Sequence, residues 1–356
     1  MSAGAILPTR GESLWMSAIV PVMNAALPTM LRTHLGRAAR WDAEYGHNLS
    51  NHLPMALTAL ARLGASDERL ASFAEHYAQR LHAMPPAEPW PAGDAWRAHL
   101  GRPRAWPLYR SLWREWIAHE GAADVLQQAL PVLMQGAGAA AFHGPIRVAY
   151  ALAANHADEL IDALAYWSCR WFACGVADGD GSHADTQAVL ATLDFAAELP
   201  RAPLIAEGMA HAAAHPCFAP AIARWRVDVL TTLPRLAMLA AERYAARGGF
   251  TALHLLTSAH AMRVLLPWLD ADDRRDALRH YAAAAAAGWA TLPRDAAPAS
   301  ALPNLCWDEI VARALATNDD GHACKLVDSC RELEAALGGA VWLRAATRAV
   351  AAALKD

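Results

Sequence analysis

An all-α fold is predicted for this chain by three observations: Ala, Leu and Arg dominate it, apolar residues recur at helical spacing in most segments, and strand-like alternation is scarce. The helical spacing is plain in Leu53, Leu57, Leu60 and Leu63, and again in Val264, Leu265 and Leu269. Pro54 marks a helix start beside His52, and Gly64 follows that helix's last apolar residue. Pro145, directly after Phe142-His143-Gly144, reads as a first-turn proline that sets His143 at the mouth of the apolar segment 146–172. Asp319, Asp320 and Gly321 form a polar turn that caps the helix carrying Cys324 and Leu326. Proline-rich stretches at 84–107, 199–220 and 292–303 read as loops between helical blocks. The first holds Trp90, Trp96 and Trp106, which either cap the core or wall an aromatic pocket. The helices are uneven in length, and no fixed repeat links them.

Hydrophobic residues make up 55% of the 356 and charged residues 19%, enough to bury a sizeable core. One helical domain spanning 1–356 is expected, with residues 1–40 as an N-terminal extension packed on it. A net charge of -4 with scattered Lys and Arg offers no stripe for a phosphate backbone, so nucleic acid is not an expected partner. The six cysteines lack the density and spacing of a disulfide framework and are expected to be reduced thiols. Arg10 and Glu12 precede a stretch broken by Pro21 and Pro28, unlike a signal peptide. No window reaches the roughly eighteen uninterrupted apolar residues of a membrane helix. A cytoplasmic protein without a membrane partner is the expectation. No Gly-x-Gly-x-x-Gly after a strand, P-loop or Gly-x-Ser-x-Gly elbow is found, which removes the commonest nucleotide and hydrolase classes.

Sixteen histidines are the first chemical oddity. Those in apolar or glycine-containing segments are candidate metal ligands: His47, His52, His143, His254 and His322. His254 and His260 fall about 120° apart around a helix and cannot both aim at one ion. His322 and Lys325, three residues apart, share a face and can converge. A di-iron carboxylate bundle needs Glu-x-x-His twice, and only Glu44-Tyr45-Gly46-His47 fits.

Three stretches carry a resemblance to the questin oxidase-like family: Asn51-His52-Leu53-Pro54-Met55 with Leu63-Gly64-Ala65, then Phe142-His143-Gly144-Pro145-Ile146-Arg147, then Asp319 to Lys325. A looser fourth is Leu253 to Ala259, and Asp-Asp-Gly-His-x-x-Lys is the most specific element. The resemblance implies a helical, oxygen-using enzyme of polyketide-type aromatics, oxidising anthraquinones by ring cleavage or a Baeyer-Villiger-like insertion. It also implies a mononuclear non-heme iron held by His52, His143, His254, His322 and a carbamate of Lys325. His260 departs from the family pattern, which has an aromatic there in fungal members, and is assigned with His47, Asp319, Asp320 and Arg147 to the surroundings of the ligands.

Chemistry makes sense of the lysine independently. An ammonium has no lone pair, whereas reaction with carbon dioxide gives a hard oxygen ligand. Imidazoles plus one anionic oxygen suit iron, and five ligands leave one octahedral position for dioxygen or substrate. One of Asp319 and Asp320 is expected to cap the turn while the other orients a ligand imidazole. Arg147 pairs either with an internal carboxylate or with a substrate phenolate. A reductant such as NADPH would have to bind transiently or come from a partner, since no nicotinamide fold is present. The leading expectation is therefore an iron-dependent oxidase or oxygenase, a monooxygenase or dioxygenase, of an aromatic or quinone substrate. A zinc-type hydrolase and a non-catalytic helical scaffold are the alternatives.

Overall fold

The computed structural model describes residues 29–177, 182, 185–293, 301–317 and 320–352. Arg10, Glu12, Pro21 and Pro28 lie outside the described residues, as do Asp319 and most of the stretch 292–303. Among those described, α-helices carry nearly all regular structure: α1 (Thr29–Ala38), α2 (Leu53–Arg62), α3 (Asp67–Ala78), α4 (Trp106–Glu120), α5 (Ala122–Met134), α6 (His143–Ala154), α7 (Ala157–Cys169) and α8 (Thr186–Thr192) come first. They are followed by α9 (Ile205–Ala214), α10 (Phe218–Ala223), α11 (Thr232–Arg247), α12 (Phe250–Leu265), α13 (Ala271–Ala290), α14 (Trp307–Ala316), α15 (His322–Leu337) and α16 (Val341–Ala352). A two-stranded antiparallel ladder, β1 (Glu44–Tyr45) and β2 (Leu49–Ser50), pairs Glu44 with Ser50 and Tyr45 with Leu49. The predicted all-α class holds.

Local chemistry sets the helix ends. Ser66 accepts from the Arg69 amide to cap α3, with Asp67 and Glu68 in the first turn where the helix dipole favours anions. Asp270 accepts from the amides of Asp272 and Asp273 to start α13. Six alanines, Ala282 to Ala287, are buried along α13 and let its neighbours approach closely. The apolar segment 146–172 divides into two helices, because Asn155 turns left-handed at φ 47° and His156 caps α7 by accepting from the Glu159 amide. Arg147 on α6 then meets Glu159 on α7 through two hydrogen bonds of 2.6 and 3.1 Å.

The stretch 199–220, expected as a loop, instead contains α9 and the start of α10. Pro220 falls in the first turn of α10, where its missing N–H leaves no helical bond unmade. The stretch 84–107 is largely irregular, with 3-10 turns at Trp96–His99 and Pro103–Ala105 before α4 begins at Trp106. Its tryptophans cap the core: Trp96 packs on Trp113 and Trp116, Trp106 on Tyr166, and Trp90 on Tyr109.

The core is continuous, and four helices decide where the site lies. α2 packs on α6 and α15, and α12 packs on the same two, so the four close a ring. α1 packs against α2 and α3 outside it. Among the described residues, no helix is long and apolar enough to cross a membrane.

Candidate metal centre

Each helix of the ring presents a histidine at or near its N-terminus. His52 is the N-cap of α2, His143 opens α6, His254 lies one turn into α12, and His322 opens α15. All four are buried, between 3% and 8% exposed. Local structure aims each one. The ladder delivers the chain to His52, whose amide donates to the Tyr77 hydroxyl at 3.0 Å. Before His143, the residues Ala140, Ala141 and Phe142 all take left-handed backbone angles (φ 47°, 54° and 70°). Such angles cost an L-residue roughly 1–2 kcal/mol each, and they turn the Ala140 carbonyl onto the imidazole. Gly144 lets α6 pass Trp167, since a Cβ there would meet the indole at 2.8 Å.

The Nδ1 atoms are all taken by acceptors. His52 Nδ1 faces the Asp320 carbonyl at 3.0 Å, His143 Nδ1 the Ala140 carbonyl at 2.5 Å, and His254 Nδ1 the Phe250 carbonyl at 2.7 Å. His322 Nδ1 is held by the Asp320 carboxylate. Carbonyls and carboxylates only accept, so each Nδ1 carries the proton and each Nε2 exposes a lone pair. Those lone pairs converge. Nε2 of His143 lies 2.7 Å from Nε2 of His52 and 3.2 Å from Nε2 of His254. Ring nitrogens of His52, His143 and His322 all lie within 4.8 Å of one another, a group that could hold a metal ion. His254 joins that group through His143.

Electrostatics keep the rings of His52, His143 and His254 neutral. Burial pushes His52 and His143 well below the ordinary imidazole value, reinforced by the charge of Lys325 at His52 and by His254 and Lys325 at His143. His254 is pushed down to about 3 by burial, then by His322 and Lys325. Burial pushes Asp320 up, but its hydrogen bond to His322 and the charges of His322 and Lys325 outweigh this and hold it at about 2. Two neutral imidazoles with facing lone pairs cannot hydrogen-bond to each other, whereas a shared cation satisfies both. Ligand nitrogens about 2.1 Å from one ion fall roughly 3 Å apart when adjacent, close to the spacing seen here. The residues therefore fit a metal ion.

Lys325 stands one turn beyond His322 on α15 and is 2% exposed. Its backbone carbonyl lies 3.3 Å from the Tyr150 hydroxyl, and its charge acts on three of the four histidines.

The family model for questin oxidase-like proteins matches residues 49–184 and 228–330. The chain belongs to the questin oxidase-like family. No curated protein matches it. Family membership implies an oxidoreductase, and in this questin oxidase-like chain the matched regions contain all four histidines and Lys325.

Other residues proposed from sequence lie elsewhere. His47 is exposed in the turn between β1 and β2, and Glu44 beside it pairs with Arg170 and Tyr166, so Glu44-x-x-His47 is not brought to the cluster. His260 faces Ser329 Oγ at 3.2 Å, on a different face of α12 from His254. Arg147 is committed to Glu159 and is not in the cleft over the histidines. Sequence reading missed the carbonyls of Ala140 and Phe250, which fix two of the rings; the glycine- and alanine-rich run before His143 was the only local signal of the unusual turn.

Proposed function

We propose that this questin oxidase-like protein is a non-heme-iron oxygenase that uses dioxygen to oxidise an uncharged or phenolic aromatic substrate of polyketide type. The observation that carries the reading is the pair of short Nε2 to Nε2 approaches between neutral imidazoles. In this reading His52, His143, His254 and His322 hold the ion through Nε2, with a carbamate of Lys325 as the anionic ligand. The amine and carbon dioxide form that carbamate with loss of one proton. Bound iron supplies dioxygen activation and Lewis acidity.

The chain's own groups account for the rest. Asp320 holds the rings of His52 and His322 through its carbonyl and its carboxylate. Four helix N-termini point their positive ends at the site, which disfavours imidazolium and favours an anion such as a carbamate or a substrate phenolate. A cleft of about 270 Å³ opens onto His52, His143, His254 and His322, with Tyr45, Leu49, Leu204, Ile205 and Phe250 among its walls. No lysine or arginine lines it among the described residues, which fits a substrate without a carboxylate or phosphate. Phe250, 59% exposed, lies 4.8 Å from the His322 ring and offers a face for a flat substrate. A reductant such as NADPH, where the reaction needs one, would come from solution. No disulfide joins the six cysteines, which fits a reducing compartment, and we place the protein in the cytoplasm.

Metal analysis after iron-supplemented expression tests the reading; near-stoichiometric iron is expected, and a transition-metal content near zero overturns it. Three mutually close histidines also form the ligand set of hydrolytic zinc sites, so a zinc hydrolase is the second reading. Dioxygen uptake on addition of a hydroxyanthraquinone separates the two.

A further inference from the structure

Among the described residues four large hydrophobic side chains are exposed, and two of them, Leu49 at 46% and Phe250 at 59%, line the cleft over the histidines. The helix ring sets them at opposite corners of its mouth. α2 and α12 each pack on both α6 and α15, so they stand diagonally across the ring. β2 carries Leu49 and leads into α2, and Phe250 is the first residue of α12. The register of the hairpin gives the direction of Leu49. Leu49 pairs with Tyr45 and Ser50 with Glu44; cross-strand partners share a face, while neighbours along a strand take opposite ones. The face of Glu44 and Ser50 is turned to α7. Ser50 Oγ lies 2.6 Å from the Tyr166 hydroxyl, which donates to Glu44 at 3.1 Å, and Glu44 pairs with Arg170. Leu49 and Tyr45 therefore share the other face, and both line the cleft. Phe250 is placed independently, its ring centre 4.8 Å from that of His322.

A ligand that covers both exposed side chains gains their apolar surface, and the side of the cleft formed by the hairpin is held from behind. A two-stranded ladder is marginally stable alone. Here the Glu44 carboxylate only accepts and takes the Tyr166 proton, so Ser50 donates to Tyr166 in a directed chain that ends at the Glu44 to Arg170 ion pair. That chain ties both strands to α7. On the cleft side Tyr45 stands edge-on to Tyr77, with 6.2 Å between ring centres and 80° between planes. A gap braced in this way favours a ligand already of matching shape, since less freedom is lost on binding. We propose that Leu49 and Phe250 are the specificity-determining jaws of the cleft, bearing on the two faces of a fused, flat ring system and rejecting ring pairs that twist out of plane. The inference rests on the proposed aromatic substrate and adds the residues that select its shape. Glu44, Ser50 and Tyr166 act through the hairpin as positioning residues.

Ligand binding by the full chain under argon, where dioxygen turnover is absent, tests the proposal with a flat dihydroxyanthraquinone and a dihydroxybenzophenone, whose rings twist about their shared carbonyl. The wild type should bind the quinone more tightly, as read by ligand absorbance. Leu49→Ala and Phe250→Ala truncate exposed side chains and leave the core intact. Each should weaken quinone binding by about 4–10-fold, the worth of covering roughly half of such a side chain, and weaken the benzophenone less. Leu230→Ala, which trims an exposed leucine outside the cleft, should change neither. Tyr166→Phe keeps the ring and breaks the chain to Glu44, so the preference for the flat probe should fall with both jaws intact. An unchanged preference there overturns the positioning role of the chain. Quinone binding that both alanine variants leave unchanged, or an equal loss of both probes, overturns the jaws and leaves an aromatic substrate in place. No quinone binding by the wild type overturns the jaws and the aromatic substrate together.

Discussion

Asp320 presents its backbone carbonyl to His52 and its carboxylate to His322, so one residue fixes the tautomers of two rings from different helices. Asp320→Asn keeps the carbonyl and removes the charge. Metal affinity is expected to fall by roughly 10–100-fold, the usual cost of losing such a support, as read by competition titration against a chelator. His52 should keep its orientation, because its partner is main chain. Lys325 is tested separately. Lys325→Ala should lose most bound metal or turnover, and short carboxylic acids should restore part of it by replacing the missing anionic oxygen. Full metal and full turnover in the variant would show that the lysine is no ligand.

At the scale of elements, the ring of α2, α6, α12 and α15 works because each helix begins where the site needs a donor. Gly321 shows how tight that arrangement is. It caps α15 with φ 86°, and a Cβ there would meet the Ala56 Cβ of α2 at 2.6 Å. Gly321→Ala combines left-handed strain with overpacking and should lower stability by about 2–4 kcal/mol in urea unfolding. Adding Ala56→Gly relieves the collision but not the strain, so it should recover roughly half. Loss of metal should accompany the single variant, since His322 directly follows the displaced residue. Pro54, Pro145 and the Asp-Gly turn made three of these helix starts readable, because proline and capping residues act within one turn. The break at Asn155 and the helices within 199–220 were missed although their signals are local: Asn155 and His156 are caps set inside an apolar run, and the prolines of 199–220 flank or open helices rather than interrupt them.

Across the whole molecule, buried neutral histidines make stability depend on pH. His260 sits well below the ordinary 6.5, chiefly through burial and then through Arg263 and Arg62. The unfolded chain therefore takes up its proton below pH 6.5 while the folded protein does not. Its contribution is fully present above that value and is lost as pH falls toward the folded pKa. Below pH 6.5, for as long as the folded ring stays neutral, each such histidine adds a slope approaching about 1.4 kcal/mol per pH unit. His260→Gln should flatten urea-derived stability against pH by about that amount in this window, whatever it does to stability at neutral pH. An unchanged slope would mean that His260 titrates normally in the folded state.

The sequence by itself determined the helical class, the helix starts that carry His52, His143 and His322, and the histidines and lysine worth following. These rest on spacing, capping and proline sterics, which operate over a few neighbouring residues. Only the tertiary structure decided which of them meet. His52 is held by a carbonyl 268 residues away, and no helical wheel states which face of α2 looks at α15. Shorter-range packing left His47 outside in its turn and committed Arg147 to Glu159 on the next helix. Convergence is a property of packing, and packing is set by the long-range closure of the ring rather than by any one segment.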